Sequence, residues 1–436
     1  MNWMDAYQRK TVTADQAVSH IESGQRVFLT GNCSVPKQIL AALVKRAHVL
    51  NDVEMVQVLT FGPDDYVAPE LEGHLRVNSL FISDNIRQAV NEGRADFTPC
   101  FLSEIPGLFL RRHLPLDVAV IHVTPPDEHG FCSFGVEVSV TKPAAQAARI
   151  VIAEVNAQMP RTLGDSFIHV SRLNCIVPVN YPVAELPQGG EGADPISEKI
   201  ASYIAELIPD GATMQMGIGA IPDAVLNFLG DKRDLGIHSE MFSDGVVRLV
   251  EKGVITNSRK TLHPGKIVVG FILGTQALYS WADDNPLCEF HRQEYVNDPF
   301  VIAQNDKMVA INSAIEVDLT GQVCADSIGP KLFSGVGGQV DFVYGASRSK
   351  GGVPVIALPS TATLRDGTLV SRIACMLKQG AGVVTSRNHV HFVVTEYGVA
   401  SLYGKTIRQR ARELIKIAHP DFRVDLEKQA KALNYM

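Results

Sequence analysis

The sequence predicts an α/β protein of two similar domains with mainly parallel sheets, and three observations lead there. Short β-branched runs alternate with segments of helical spacing almost throughout, the pattern of parallel strands joined by crossover helices. A length of 436 residues is more than one hydrophobic core ordinarily serves. Both halves also open on a strand, a glycine-containing turn and a helix begun near a proline: Thr30-Gly31-Asn32 to Pro36, and Gly217-Ile218-Gly219 to Pro222.

In the first half Arg26–Thr30, Val53–Val58, Leu116–Val123 and Arg149–Glu154 read as strands, and Pro36–Arg46 carries Ile39, Leu40, Leu43 and Val44 at helical spacing. The polar, glycine-rich stretch Pro187–Pro195 reads as a linker, which sets domains of 1–188 and 189–436. The second half begins with a helix, Ile196–Leu207. Strands follow at Ala212–Met216, Lys266–Leu273, Met308–Asn312, Val353–Leu358 and Val390–Val394. The last helix, Ser401–Ala418, bears Lys405, Arg408, Arg410, Arg412 and Lys416, read as a solvated face or a dimer rim. No repeat of 20 to 50 residues is visible, so neither a solenoid nor a propeller is supported.

Composition removes several classes of function. Lys plus Arg is 40 against 47 Asp plus Glu, a net charge of −7 that offers no footprint for nucleic acid. Hydrophobic residues at 46% supply buried cores. Apolar runs such as Ile267–Leu273 fall short of the roughly 20 residues that cross a bilayer. Met1 to Lys10 shows no basic start followed by an apolar run, so the cytoplasm is expected. The seven cysteines are scattered without a Cys-x-x-Cys pair, and read as buried thiols and not as metal ligands.

Three constellations offer chemistry. The first is Gly217, Ile218, Gly219, Ala220 and Ile221, between a strand and a helix, where glycines bring backbone N–H groups close to an anion; a plain strand-to-helix turn is the alternative. The second is Gly236-Ile237-His238-Ser239-Glu240-Met241, a strand ending in polar residues. Parallel sheets place their ligands at that end, and Met241 and Phe242 would partly desolvate Glu240 as base or nucleophile, whereas a Glu at a strand end is otherwise structural or solvated. The third is Phe333–Phe342, with Gly335, Gly337 and Gly338, followed by Ser349-Lys350-Gly351-Gly352: an anion nest with a phosphate-binding lysine, or a tight turn with a surface lysine. A dinucleotide site using Gly217, Gly219 and Glu240 is weakened by Pro222 and Asp223, which stand where a small residue and a pyrophosphate belong. His389 and His391 share one strand face and read as structural, and no metal is expected. The loop holding His122, Glu128 and His129 has no function readable from spacing.

Ordered through the chain, Thr124–Gly135, Glu154–Asp165, Gly217–Leu226, Gly236–Gly245, Ile311–Asp318, Gly335–Phe342 and Thr395–Ala400 together resemble a known family. It is the acetyl-CoA hydrolase/transferase branch of the class I CoA-transferases, which includes the 4-hydroxybutyrate and butyryl-CoA:acetate enzymes. The resemblance implies two α/β domains with CoA in a cleft and a homodimer or larger assembly of dimers. It puts the active-site glutamate on Glu240 and the CoA-binding loop on Gly217–Ile221. It also implies a backbone N–H from Gly338 near the thioester, Lys350 on CoA, and Asn305 near the reacting carboxylates. Acyl-CoA and a short-chain carboxylate such as 4-hydroxybutyrate or butyrate would be the substrates, exchanged by ping-pong kinetics through a glutamyl-CoA thioester, with no permanently bound cofactor. Hydrolysis of acetyl-CoA by the same glutamate, an NAD-dependent dehydrogenase and a silent acyl-CoA-binding protein are the alternatives.

Overall fold

A computed structural model describes residues 2–186, 194–217 and 219–436. They form two compact units, one holding residues up to 186 together with 268–296, the other 194–267 together with 297–436. The second unit is thus interrupted in sequence, unlike the uninterrupted halves expected. The boundary expected between 188 and 189, and Ile218 of the glycine loop, lie outside the described residues.

The first unit is built on seven strands: β1 (Arg26–Leu29), β2 (Val53–Val58), β3 (Leu75–Phe81), β4 (Asp96–Phe97), β5 (Val118–Val123), β6 (Ile150–Asn156) and β7 (Cys175–Val179). They lie in the order β4-β3-β2-β1-β5-β6-β7, every neighbour parallel. All six residues of β5 are buried, as the near-continuous apolar run of a strand covered on both faces requires. Helix α1 (Lys37–Arg46) buries Ile39, Leu40 and Leu43.

The order reverses between β1 and β5, the place where parallel sheets open a crevice at their carboxyl ends. There Gly31 lets β1 approach β2 so closely that a Cβ would overlap the carbonyl oxygen of Val58. Asn32 adopts φ 51° and donates through Nδ2 to the Glu137 carboxylate, which also accepts from the Ser139 hydroxyl. Burial pushes Glu137 up to about 7 despite these bonds. His122, on β5, is held neutral by burial, its pKa pushed down to about 3, and its Nδ1 lies 3.2 Å from the carbonyl of Ser34.

The second unit carries β8 (Thr213–Met216), β9 (Gly236–Ile237), β10 (Met308–Ser313), β11 (Val353–Ala357), β12 (Phe392–Thr395) and β13 (Gly398–Ser401) in the order β9-β8-β10-β11-β12-β13. The first five are parallel; β13 folds back antiparallel on β12. Its helices include α2 (Pro195–Leu207), α3 (Ala220–Asn227), α4 (Asp244–Glu251), α5 (Gln339–Arg348), α6 (Ile407–Ile417) and α7 (Pro420–Ala432). Asp194 caps α2 by accepting from the N–H groups of Ile196 and Ser197, and Pro195 supplies a first-turn residue with no N–H to satisfy.

Several expected elements are corrected. Lys266–Leu273 is not one strand but Ile267–Val269 and Phe271–Ile272, broken where the Gly270 carbonyl accepts from the N–H groups of Val138 and Ser139. The last basic helix starts only at Ile407, behind the capping box of Thr406 and Gln409, and Ser401 belongs to β13. Its charges are largely engaged: Arg410 donates to the carbonyls of Thr320 and Arg387, and Lys405 and Lys416 both pair with Glu413. His389 sits in a turn against the Tyr344 ring and His391 against Tyr403, both before β12, so they share no strand face. Six of the seven cysteines are buried. Among the described residues no helix is long and apolar enough to cross a membrane.

Replacing Gly31 by Ala sets a Cβ against the backbone of Val58 and Leu59 at the end of β2, at a cost of roughly 2 kcal/mol. A fall of about 5 °C in melting temperature is expected; an unchanged melt would show that the strand ends part without resistance.

Candidate active site

In the second unit the order reverses at β8, with β9 on one side and β10 on the other, so the carboxyl end of β8 is the predicted mouth of a crevice. Gly217 and Gly219 lie there. A Cβ at either would meet nothing within 4 Å, so protein packing does not account for the missing side chains. Gly219 has φ 119°, a conformation that favours glycine, and is followed by α3, whose first residues are the exposed Ala220 and the buried Ile221. Asp223 in the first turn of α3 has its carboxyl pushed up to about 6, chiefly by burial.

Glu240 follows β9 by three residues. That edge strand is two residues long and is braced from outside by side chains: the Ile237 N–H donates to Asn257 Oδ1 at 2.9 Å, and Lys260 Nζ donates to the Ile237 carbonyl at 2.7 Å. Gly236 lacks a side chain because the Lys260 stem occupies that space. On the other side the Ser239 hydroxyl lies 3.3 Å from the carbonyl and 3.4 Å from the N–H of Met216, tying Glu240's segment to the end of β8.

The third element is the start of α5. Gly338 is its N-cap, and Gln339 Nε2 donates to the Ser313 carbonyl at the end of β10. A Cβ on Gly338 would overlap both the Glu240 carboxylate and the Asn297 amide, so only glycine lets the three meet. Asn297 Nδ2 lies 3.4 Å from Glu240 Oε2 and 3.3 Å from Asp341 Oδ2, and Asp341, in the first turn of α5, is 3% exposed. Glu240 as a residue keeps a partly open face, while desolvation of its carboxyl pushes its pKa up to about 7 against the lowering effect of Asn297. A desolvated carboxylate beside glycine backbone, on a residue that is only half-buried, has the chemistry of a nucleophile or base.

Of the residues singled out from sequence, Gly217, Gly219, Ala220, Ile221, Glu240 and Gly338 lie at the carboxyl ends of β8 and β9 or the start of α5. Asn305 and Lys350 do not. Asn305 precedes β10 and Lys350 precedes β11, which puts both at the amino edge of the sheet, about 20 Å of strand from Glu240's edge. Asn305 is fully buried with its backbone carbonyl accepting from Ser349, and Lys350 is exposed, 4.0 Å from Asp306. Sequence reasoning missed Asn297, Ser239 and Asp341. Asn297 stands before Asp298-Pro299, where Asp298 caps a short helix, so the local sequence signals a cap and nothing more.

Comparison with known proteins matches residues 1–187 to the acetyl-CoA hydrolase/transferase N-terminal domain and residues 274–430 to its C-terminal domain. The chain belongs to the acetyl-CoA hydrolase/transferase family. It is 54% identical over 433 residues to the 4-hydroxybutyrate coenzyme A transferase of Clostridium kluyveri, covering 99% of each. It is 38% identical to the butyryl-CoA:acetate CoA-transferase of Anaerostipes caccae, covering 99% of this chain and 98% of that one. A solved structure of 4-hydroxybutyrate CoA-transferase from Porphyromonas gingivalis superposes with a TM-score of 0.85 at 42% identity, covering 99% and 100% of the two chains. This family member is an enzyme, and the dinucleotide reading of Gly217, Gly219 and Glu240 gives way to it.

Burial of the carboxyl has a sign that can be measured. With the folded pKa near 7 and the ordinary value 4.5, stability from Glu240 is fully present below 4.5 and is lost as pH rises through 7. Glu240→Gln is therefore expected to melt a few degrees above wild type at pH 8 and level with it below about pH 4. A constant difference across that range would mean that the carboxyl titrates normally.

Proposed function

We propose that this family member is a CoA-transferase moving CoA between acetyl-CoA and a short-chain carboxylate of the 4-hydroxybutyrate or butyrate type, with Glu240 as nucleophile. The observation that carries the reading is Glu240 itself: a half-buried residue whose carboxyl is drawn out of water, bonded by the Asn297 amide and set against a glycine at a helix start. The names of the relatives at 54% and 38% identity support the substrate class.

The ionised Glu240 carboxylate attacks the acyl-CoA carbonyl, breaking the carbon–sulfur bond to give an acyl-glutamyl anhydride and CoA thiolate. The thiolate attacks the glutamyl carbonyl, forming glutamyl-CoA thioester and releasing the first acid as its carboxylate. An acceptor carboxylate attacks that thioester and the steps run in reverse, restoring Glu240. No net proton, electron or water is consumed. In this reading the N–H groups of Gly217, Gly219 and Gly338 stabilise the oxyanions, and the Asn297 amide donates to the Glu240 oxygen. A carboxyl pKa near 7 raises basicity, hence nucleophilicity, while leaving much of the group ionised at neutral pH.

Two measurements test this. The rate of acyl-CoA consumption is expected to rise with pH along an acid limb near 7, since only ionised Glu240 attacks, and Glu240→Gln is expected to lose roughly a thousandfold or more in transfer while still binding CoA. Borohydride added during turnover of acetyl-CoA is expected to reduce the glutamyl thioester to an alcohol on the peptide carrying Glu240. Turnover without that modification would replace the covalent route with direct attack by water, the hydrolase reaction.

A further inference from the structure

The side chain of Asn297 can donate only through Nδ2, yet Nδ2 and Oδ1 are nearly equal in size, and a half-turn about the last bond exchanges them. Two carboxylates favour one orientation. Nδ2 lies 3.4 Å from Glu240 Oε2 and 3.3 Å from Asp341 Oδ2, so the flipped amide would lose both hydrogen bonds and set Oδ1 against two acceptors. The two carboxylates are not equivalent during turnover. Glu240 gives up its charge each time it becomes an anhydride or thioester, whereas Asp341 takes no covalent part. Asp341 is 3% exposed in the first turn of the ten-residue helix α5, and three residues earlier Gly338 packs on the Glu240–Asn297 contact.

We propose that Asp341 is a positioning residue that holds the Asn297 amide with Nδ2 toward Glu240 through every stage of the transfer, so that the donor is in place when the glutamyl carbonyl develops negative charge. The inference rests on Glu240 as nucleophile. It assigns Asp341 no contact with substrate: its effect passes through Asn297.

The test is a double-mutant cycle on the purified full chain, reading exchange of label between acetate and acetyl-CoA together with CoA affinity. Asp341→Asn, which keeps the volume but permits the amide to turn, is expected to lose about tenfold in kcat, and Asp341→Ala up to about a hundredfold, with the Kd for CoA within about twofold of wild type. In an Asn297→Ala background either Asp341 substitution is expected to cost less than about twofold more, because the residue it acts through is gone. Losses that multiply in the double variants, or that come with matching loss of CoA affinity, would assign Asp341 a purely structural role and overturn the proposal. So would near wild-type exchange in both single variants. Borohydride trapping on the wild type separates the two layers: no adduct on the Glu240 peptide removes the nucleophile, while an adduct combined with multiplying losses removes only the role of Asp341.

Discussion

A carboxylate that has lost most of its water opposes folding, and the second unit is arranged to hold one at Glu240, where Asn297 is its side-chain donor among the described residues. Nearby peculiarities follow from that. Gly338 is glycine because any side chain would occupy the carboxylate's place. Strand β9 is two residues long, yet it is fixed on its outer edge by Asn257 and Lys260 and inward by Ser239, since a strand so short lacks the ladder to fix itself. Asn257 adopts φ 58° to present its oxygen, a backbone conformation a non-glycine residue adopts at a cost.

Each unit reverses its strand order once, and each places a carboxylic acid near that reversal with a pKa near 7. The resemblance stops there. Glu137 in the first unit is 1% exposed and accepts from Asn32 and Ser139, so its oxygens are occupied by the protein. Glu240 keeps a partly open face and one weak amide contact. A raised pKa therefore does not by itself mark the reactive acid; what separates the two is access and the number of donors already spent on each oxygen.

How much of this was legible in the sequence depends on range. Val53–Val58 forms the expected strand residue for residue, and α2 starts one residue early, because period and caps are local properties. Gly217, Gly219, Glu240 and Gly338 were legible for the same reason: each lies in a short motif directly after a strand or before a helix. Asn297 was not, since its partner lies 57 residues away and nothing adjacent signals the pairing. Asn305 and Lys350 read as neighbours in sequence of the same chemistry, but residues that precede a strand lie at its amino edge and residues that follow it at its carboxyl edge, so both lie at the edge away from Glu240.

The number of donors on Glu240 sets the terms of its chemistry. More hydrogen bonds to its oxygens would favour the charged form and lower the pKa, leaving an abundant but weak nucleophile; none would leave a carboxylic acid protonated at neutral pH and inert. Among the described residues the Asn297 amide is the side-chain donor that sets the group between these limits, but only if the amide donates. The hold of Glu240 on the amide weakens whenever Glu240 is acylated and uncharged. Asp341 is a second acceptor for the same Nδ2, one that takes no covalent part in transfer and does not touch the reacting oxygens.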